Sequence, residues 1–248
     1  MNLSFYIGAT AAHQQEKRLN IQGNNIANVN TYGFKAEKGR FTQLMYESVP
    51  AVEVPEAPMG LGARLLMSYT DLRDGGIATT GMPYDFMISG NGFFGVMDLQ
   101  RNEVLMTRNG AFKPAQLQGP VDQVDQYGEP VSPDRMYLSD GMGRFVMNQN
   151  GGLIRVVDQS AELPVGVFDF DIRQGMQHVD GTYFMPPEAA EALQQGTGLL
   201  RRCALETSNV NLADEINKVI ESQRAYSMAL KMVQTSDEIE TTINGLRG

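Results

Sequence analysis

One stretch of the sequence, LADEINKVIESQRAYSMALKMV at residues 212–233, decides how this chain is organised. Its apolar residues recur in alternating steps of four and three, which is the spacing of one face of a long α-helix. Asn211 precedes the pattern as an N-cap, and Asp214 and Glu215 lie in the first turn, where the helix dipole favours acids. The predicted contact stripe of this helix contains Leu212, Ile216, Val219, Gln223, Tyr226, Leu230 and Val233.

The N-terminal segment carries a weaker pattern of the same kind. Phe5, Ala12, Leu19 and Ile26 recur every seven residues, and Val29 follows three positions later. Gly and Pro are sparse in residues 1–30 and absent from residues 205–244, but they are frequent in between. We therefore predict a long helix at each end of the chain and a different structure in the middle.

The middle of the chain has the features of antiparallel β-structure. Runs of β-forming residues, such as 93–97, 152–157 and 165–170, lie between turn signals that include Asn91-Gly92 and Asp140-Gly141. The expected fold class is α+β, in which the terminal helices pair as a coiled layer beside a central, mainly antiparallel β domain. We place the helical assembly domain at residues 1–48 and 204–248, and the β-rich outer domain at 49–203.

Composition excludes several functional classes. The chain has 248 residues, and its net charge of −9 argues against nucleic acid and against an anionic membrane surface as partners. Cys203 is the single cysteine, so we expect a small buried apolar residue and no disulfide framework. No run approaches the roughly 18 apolar residues of a spanning helix. The N-terminus lacks the leading basic residues of a signal peptide, so export would need another route.

Candidates for catalysis are few. His13 and His178 match no metal-binding spacing, and we expect neither a metal nor another cofactor. Asp169 and Asp171 alternate with aromatic residues, which would place two carboxylates on one strand face, as a wall-cleaving glycosidase needs. The simpler interpretation is the solvated face of a half-buried strand. We therefore expect no enzymatic activity.

The sequence GNNIANVNTYGFK at residues 23–35 closely resembles the N-terminal signature of flagellar basal-body rod and hook proteins. Residues 85–94, 107–112 and 206–211, and then 223–226, agree with the same family in the same order. The resemblance therefore covers essentially the whole chain. The residues that carry its terminal motifs are Asn24, Asn25, Asn28, Asn30, Thr31, Gly33, Phe34, Asn209, Val210, Asn211 and Arg224.

The asparagines of this signature have short amide side chains, which bond backbone groups and tolerate left-handed geometry. We predict that Asn24, Asn25, Asn28 and Asn30 fix the turn by which the chain leaves the N-terminal helix.

The resemblance implies a structural subunit of the flagellar basal body, located in the periplasm or cell-wall region. Such a subunit leaves the cell unfolded through the flagellar type III export apparatus and then forms a helical homopolymer, in contact with other rod and hook subunits. It needs no cofactor, nucleic acid or membrane insertion. The assembly interface would then combine Leu19, Ile26 and Val29 with the C-terminal stripe.

Two questions stay open at this point. The stretch 116–134 departs from the usual rod pattern, which leaves proximal rod, distal rod and a hook-basal-body paralogue as alternatives. A secreted β-rich binding module is also an alternative, and it would be a monomer that its terminal helices clasp.

Overall fold

The computed structural model describes residues 3–43, 63–117, 123–158, 163–170, 177–186 and 194–246. Two helices, α1 (Leu3–Ala27) and α2 (Leu212–Leu246), lie towards the ends of the chain. The strands between them are β1 (Glu37–Gln43), β2 (Ala63–Thr70), β3 (Ile77–Thr79), β4 (Phe86–Ser89), β5 (Phe93–Asp98), β6 (Glu103–Thr107), β7 (Lys113–Gln116), β8 (Met136–Ser139), β9 (Arg144–Val146), β10 (Val167–Asp169), β11 (Gln177–Asp180), β12 (Tyr183–Met185), β13 (Gln194–Gln195), β14 (Leu199–Arg202) and β15 (Ala204–Glu206). This arrangement confirms the predicted α+β class.

The contacts divide the chain into two units. The helical unit contains Met1–Val29, Ala36–Leu72 and Val210–Gly248, and the β unit contains Asn30–Lys35 and Arg73–Asn209. Strands β1 and β2 pair with each other, so residues on both sides of position 48 group with the helices. The sequence boundaries at 48 and 204 stay a prediction about the domains.

In the helical unit, α1 and α2 lie side by side and run in opposite directions. Gly8, near the start of α1, contacts Val233, while Asn25, near its end, contacts Glu215 at the start of α2. The N-cap prediction for α2 is confirmed, because the Asn211 side chain accepts a hydrogen bond of 3.1 Å from the Ala213 amide. Among the described residues, neither helix combines the length and apolar character that crossing a membrane requires.

The β unit is built on an antiparallel sheet of nine strands. Seven of them follow the order β11-β12-β6-β5-β9-β8-β7, and β10 joins β5 to β13. Two further antiparallel pairs, β4 with β14 and β3 with β15, belong to the same unit. The core consists of buried apolar residues from these strands and the loops beside them: Phe86, Ile88, Phe94, Val96, Leu105, Phe112, Leu138, Val146, Ile154, Leu163, Val165, Val167 and Tyr183.

A local sequence signal located the turn between β8 and β9. The Asp140-Gly141 signal lies in the turn between β8 and β9, where Gly141 has a φ of +83°. Residues 152–157 were expected to form a strand but make only isolated bridges, at Leu153 and Arg155. The turn that begins at Asp125 lies against this segment, since a Cβ at Gly152 would approach the Asp125 carbonyl oxygen to 2.7 Å.

Candidate assembly interface

The side of α2 that faces α1 is lined by small and polar residues. Glu215, Ser222, Ala229 and Ser236 are buried and recur every seven residues. Opposite them, a Cβ at Gly8 would lie 2.9 Å from the Val233 Cγ2 atom and 3.3 Å from the Ala229 carbonyl oxygen. The two helix backbones can therefore approach closely, as small residues at a helix contact allow.

Polar contacts fix the register of this helix pair. Gln22 Nε2 donates a hydrogen bond of 3.1 Å to Ser222 Oγ. Asn25 Nδ2 donates to the Glu37 carbonyl oxygen at 2.8 Å and to Glu215 Oε2 at 3.3 Å, and its Oδ1 accepts from the Glu37 amide at 2.9 Å. Asn25 is only 1% exposed, so these bonds satisfy an amide that burial would otherwise destabilise. The contact between α1 and α2 thus gains specificity from these polar groups.

The predicted contact stripe of α2 lies beside the buried row Glu215, Ser222, Ala229 and Ser236, and not on it. Val219, Tyr226 and Val233 are half-buried along its edge, and Gln223 is exposed. Leu212, Ile216 and Leu230 lie further round the helix and are 42%, 44% and 39% exposed. The residues predicted on the N-terminal side, Leu19, Ile26 and Val29, are half-buried. The stripe therefore keeps much of its apolar surface free for a contact outside the helical unit.

A second apolar flank of α2 was only partly visible in the sequence. This second flank lies on the side of the buried row of α2 that is opposite to the predicted contact stripe. Its exposed members are Met228, Met232, Ile239, Ile243 and Leu246. Since Gly8 contacts Val233 and the pair is antiparallel, the last turns of α2 extend past Leu3, the first described residue of α1. Ile243 and Leu246 lie in this extension.

The asparagine signature forms part of the predicted turn. Asn28 Nδ2 donates to both the carbonyl oxygen and the side-chain Oδ1 of Asn24, each at 3.0 Å, which satisfies acceptors at the end of α1. Asn24 and Asn30 are exposed, and Thr31 is half-buried. The left-handed residue of this segment is Gly33, with a φ of +70°, and not an asparagine.

Gly33 adopts this conformation where the chain enters the β unit. A Cβ at this position would overlap the backbone of Arg108 and Asn109, so no larger residue fits. The Gly33 amide donates a hydrogen bond of 2.8 Å to the Glu206 carbonyl oxygen, and Phe34 is 1% exposed. The family motif thus places a glycine where a close backbone approach requires it.

The Glu206 carboxylate brings three of the sequence motifs together. Its Oε1 accepts hydrogen bonds from Lys35 Nζ at 2.6 Å and from the Gly75 amide at 2.8 Å. Its Oε2 lies 3.4 Å from Nη1 of Arg108, whose cation also lies 5.3 Å from the centroid of the Phe93 ring. Burial lowers the pKa of the Lys35 ammonium, and the neighbouring Glu206 opposes that shift. The sequence analysis did not predict this cluster, although it identified the motifs that contain Lys35, Arg108 and Glu206 separately.

The C-terminal motif residues have mainly local roles. Asn209 Nδ2 donates to the Arg73 carbonyl oxygen at 3.0 Å, and Asn211 caps α2. Val210 is half-buried, and Arg224 is exposed on α2.

The residues considered for catalysis form no site in the part of the chain that the structure describes. Asp169 lies in β10 and accepts a hydrogen bond from the neighbouring Phe170 amide, while Asp171 lies outside the described residues. His13 is exposed beside Glu16, and His178 packs on the Phe184 ring. No group of three metal-ligating side chains occurs among the described residues.

Cys203 was expected to be buried, but the structure leaves it half-buried with a φ of +58°. It occupies the tight connection between β14 and β15 and not a core position.

Two family models match the two ends of the chain. The model described as "Flagella basal body rod protein" matches residues 5–35, which contain most of α1 and the asparagine signature. The model described as "Flagellar basal body rod FlgEFG protein C-terminal" matches residues 201–246, which contain α2. The matched regions thus include most of α1, all of α2 and the Lys35–Glu206 ion pair.

Curated relatives match over nearly the whole length of the chain. The flagellar basal-body rod protein FlgG of Buchnera aphidicola subsp. Baizongia pistaciae is 29% identical over 95% of this chain and 96% of its own. FlgG of Borreliella burgdorferi is 26% identical over 100% of this chain and 99% of its own. FlgF of Rhizobium meliloti is 28% identical over 100% and 99%, respectively.

Proposed function

Because the chain belongs to the flagellar basal-body rod protein family, a family of structural components of the basal body, we propose that it is a rod subunit that polymerises helically through α1 and α2. The polymer is the hollow drive shaft that joins the basal body to the hook. Its partners are further copies of the chain, other rod and hook subunits, and the type III export apparatus that delivers it. We assign it no catalytic activity.

The observation that carries this proposal is the apolar surface left on α2. Leu212, Ile216 and Leu230 on one flank and Ile239 and Ile243 on the other are each about two-fifths exposed or more. Scattered exposed apolar residues are ordinary on a protein surface, but these follow two continuous flanks of one helix. A second copy of the helix pair supplies matching apolar surface, so self-association buries both.

We further propose that the interface uses Leu19, Ile26 and Val29 of the N-terminal segment together with the α2 stripe. In this arrangement the helices of residues 1–48 and 204–248 form the inner layer, and residues 49–203 form the outer domain. The helical unit contains α1 and α2 as an antiparallel pair, which supports a role of both helices in one layer.

Purified full-length protein tests the proposal directly. We expect concentration-dependent rods or fibres in negative-stain electron micrographs and a sedimenting fraction that grows above a critical concentration. The critical concentration should rise when the apolar flank is disrupted. A stable monomer at the highest attainable concentration, with both helices protected from proteolysis, would favour the clasped binding module instead.

A further inference from the structure

An ion pair inside the β unit joins segments that are far apart in the sequence. The Lys35 and Glu206 side chains are each 1% exposed, and their charged atoms lie 2.6 Å apart. The Lys35 ammonium also donates a hydrogen bond of 2.8 Å to the Arg73 carbonyl oxygen. The Gly75 amide donates to the same Glu206 oxygen that binds Lys35. One carboxylate therefore holds the chain at residues 35 and 75 at once.

The second cation of the cluster, Arg108, is anchored independently of Glu206. Its Nη2 donates a hydrogen bond of 2.7 Å to the Gly90 carbonyl oxygen. Its Nη1 also lies 3.6 Å from the carboxylate of Asp74, which is 47% exposed. Loss of the Glu206 charge would therefore leave Arg108 with other partners. Lys35, by contrast, would keep a buried charge that is no longer paired with a carboxylate at 2.6 Å.

The segment that contains Lys35 is packed into the β unit by its side chains but makes few backbone hydrogen bonds to it. Within residues 30–35, Gly33 makes one backbone hydrogen bond, to Glu206, and Phe34 fills a buried site. The segment forms neither a helix nor a strand. Segments with few backbone hydrogen bonds to a sheet open at a lower free energy than the sheet itself.

We propose that the Glu206 carboxylate is the latch of a local conformational switch in which residues 30–35 leave the β unit while its sheet stays folded. The latch is closed while Glu206 is charged and bonded to Lys35, and it opens when that charge is removed. Residues 30–35 follow α1, and Glu206 precedes α2 by six residues. The state of the latch thus decides whether the chain segments leading to the two helices are held at a common point. This switch is a property of the β unit and is independent of the rod assignment.

Hydrogen exchange of the full-length chain, measured by mass spectrometry on the Glu206→Gln variant, tests the switch. The substitution keeps the size of the side chain and removes its charge, which leaves the buried Lys35 ammonium without its paired carboxylate. We expect exchange in peptides covering Gly33, Phe34 and Lys35 to accelerate about tenfold or more. Peptides from β5 and β6 should exchange at the rate of the original chain.

Two further variants sharpen the test. Lys35→Met keeps Glu206 paired with Arg108 and Gly75, so exchange should accelerate at residues 33–35 and stay slow at Gly75. Tyr32→Phe is the matched control in the same segment, because it removes only the hydroxyl of a side chain that is 40% exposed, and all rates should stay unchanged.

Several results would overturn the proposal. Unchanged exchange at residues 33–35 in Glu206→Gln would show that the carboxylate does not hold the segment. Equal acceleration in β5 and β6, or a variant that fails to fold, would show that the cluster belongs to the global core and not to a local switch.

Discussion

Replacing Leu230 with Asp separates folding of the subunit from its assembly. Leu230 is 39% exposed in the single chain, so the substitution also gives up the packing of the covered three-fifths of the side chain, about 1–2 kcal/mol. The lower helix propensity of Asp adds about 0.5 kcal/mol. We therefore expect the thermal midpoint of the monomer to fall by about 3–10 °C.

The polymer carries a further cost that the monomer does not. Full burial of a Leu side chain is worth about 1.5–3 kcal/mol, so burying the remaining two-fifths at an interface contributes about 1 kcal/mol. An unpaired carboxylate in the same desolvated contact adds about 2 kcal/mol or more. A loss of about 3 kcal/mol raises the dissociation constant about 100-fold. Because every subunit of a helical polymer repeats the contact, the critical concentration should rise by a similar factor.

Sedimentation across a range of protein concentrations measures this critical concentration, and calorimetry on the monomer measures folding. Asn217→Asp is the matched control, since it adds the same charged group to an exposed position about 140° away around α2. Glu221 is less suitable, because its carboxylate lies 3.5 Å from Arg18. If Leu230→Asp unfolds the monomer well below the original temperature and leaves its polymers intact, the flank packs within the chain and our reasoning fails.

Three further predictions follow from contacts in the two units. Gly8→Val should weaken the α1–α2 pair by about 1–3 kcal/mol, because the new side chain meets Val233 and the Ala229 carbonyl oxygen. The helical signal in circular dichroism should then be lost at a lower temperature. An unchanged thermal unfolding curve would contradict the close approach of the two helices. Asn28→Ala removes the bonds to Asn24 and should impair polymer formation while the β unit keeps its melting temperature; normal polymers would mean that Asn28 is only a solvated residue. Burial and the hydrogen bond to Asp140 raise the pKa of Tyr183 above the ordinary value of 10.0. The raised pKa stabilises the folded protein fully below pH 10, and this stabilisation is lost as the pH rises towards the folded-state pKa. Because Tyr183→Phe has no hydroxyl to ionise, the free energy of unfolding of this variant should fall less steeply above pH 10.

Sequence reasoning was most successful where the signal is local. The Asn211 cap, the start of α2 and the Asp140-Gly141 turn each depend on residues a few positions apart. The face of α2 that meets α1 could not be read in the same way, because apolar periodicity pointed to Leu230 and its neighbours. The actual contact uses Ser222, Ala229 and Ser236, whose small size is a signal only when the opposite glycine is known.

The Glu206 cluster could not be predicted from the sequence, for a different reason. Lys35 and Glu206 are 171 positions apart, and no periodicity connects them. The resemblance to the rod family marked both surrounding motifs but gave no physical reason for their residues. The structure supplies that reason, since a glycine, a buried phenylalanine and a paired lysine are what this packing requires.

The ion pair between Lys35 and Glu206 also shortens the path by which the helices find each other. Gln22 and Ser222 are separated by 200 residues, so closing their contact directly in an unfolded chain is entropically costly. Once residues 35 and 206 are joined, the flexible path between the same two side chains falls to about 30 residues, which lowers the closure cost by about 2 kcal/mol. A folded β unit therefore makes the pairing of α1 with α2 entropically cheaper, because the contact of Gln22 with Ser222 then closes a much shorter loop.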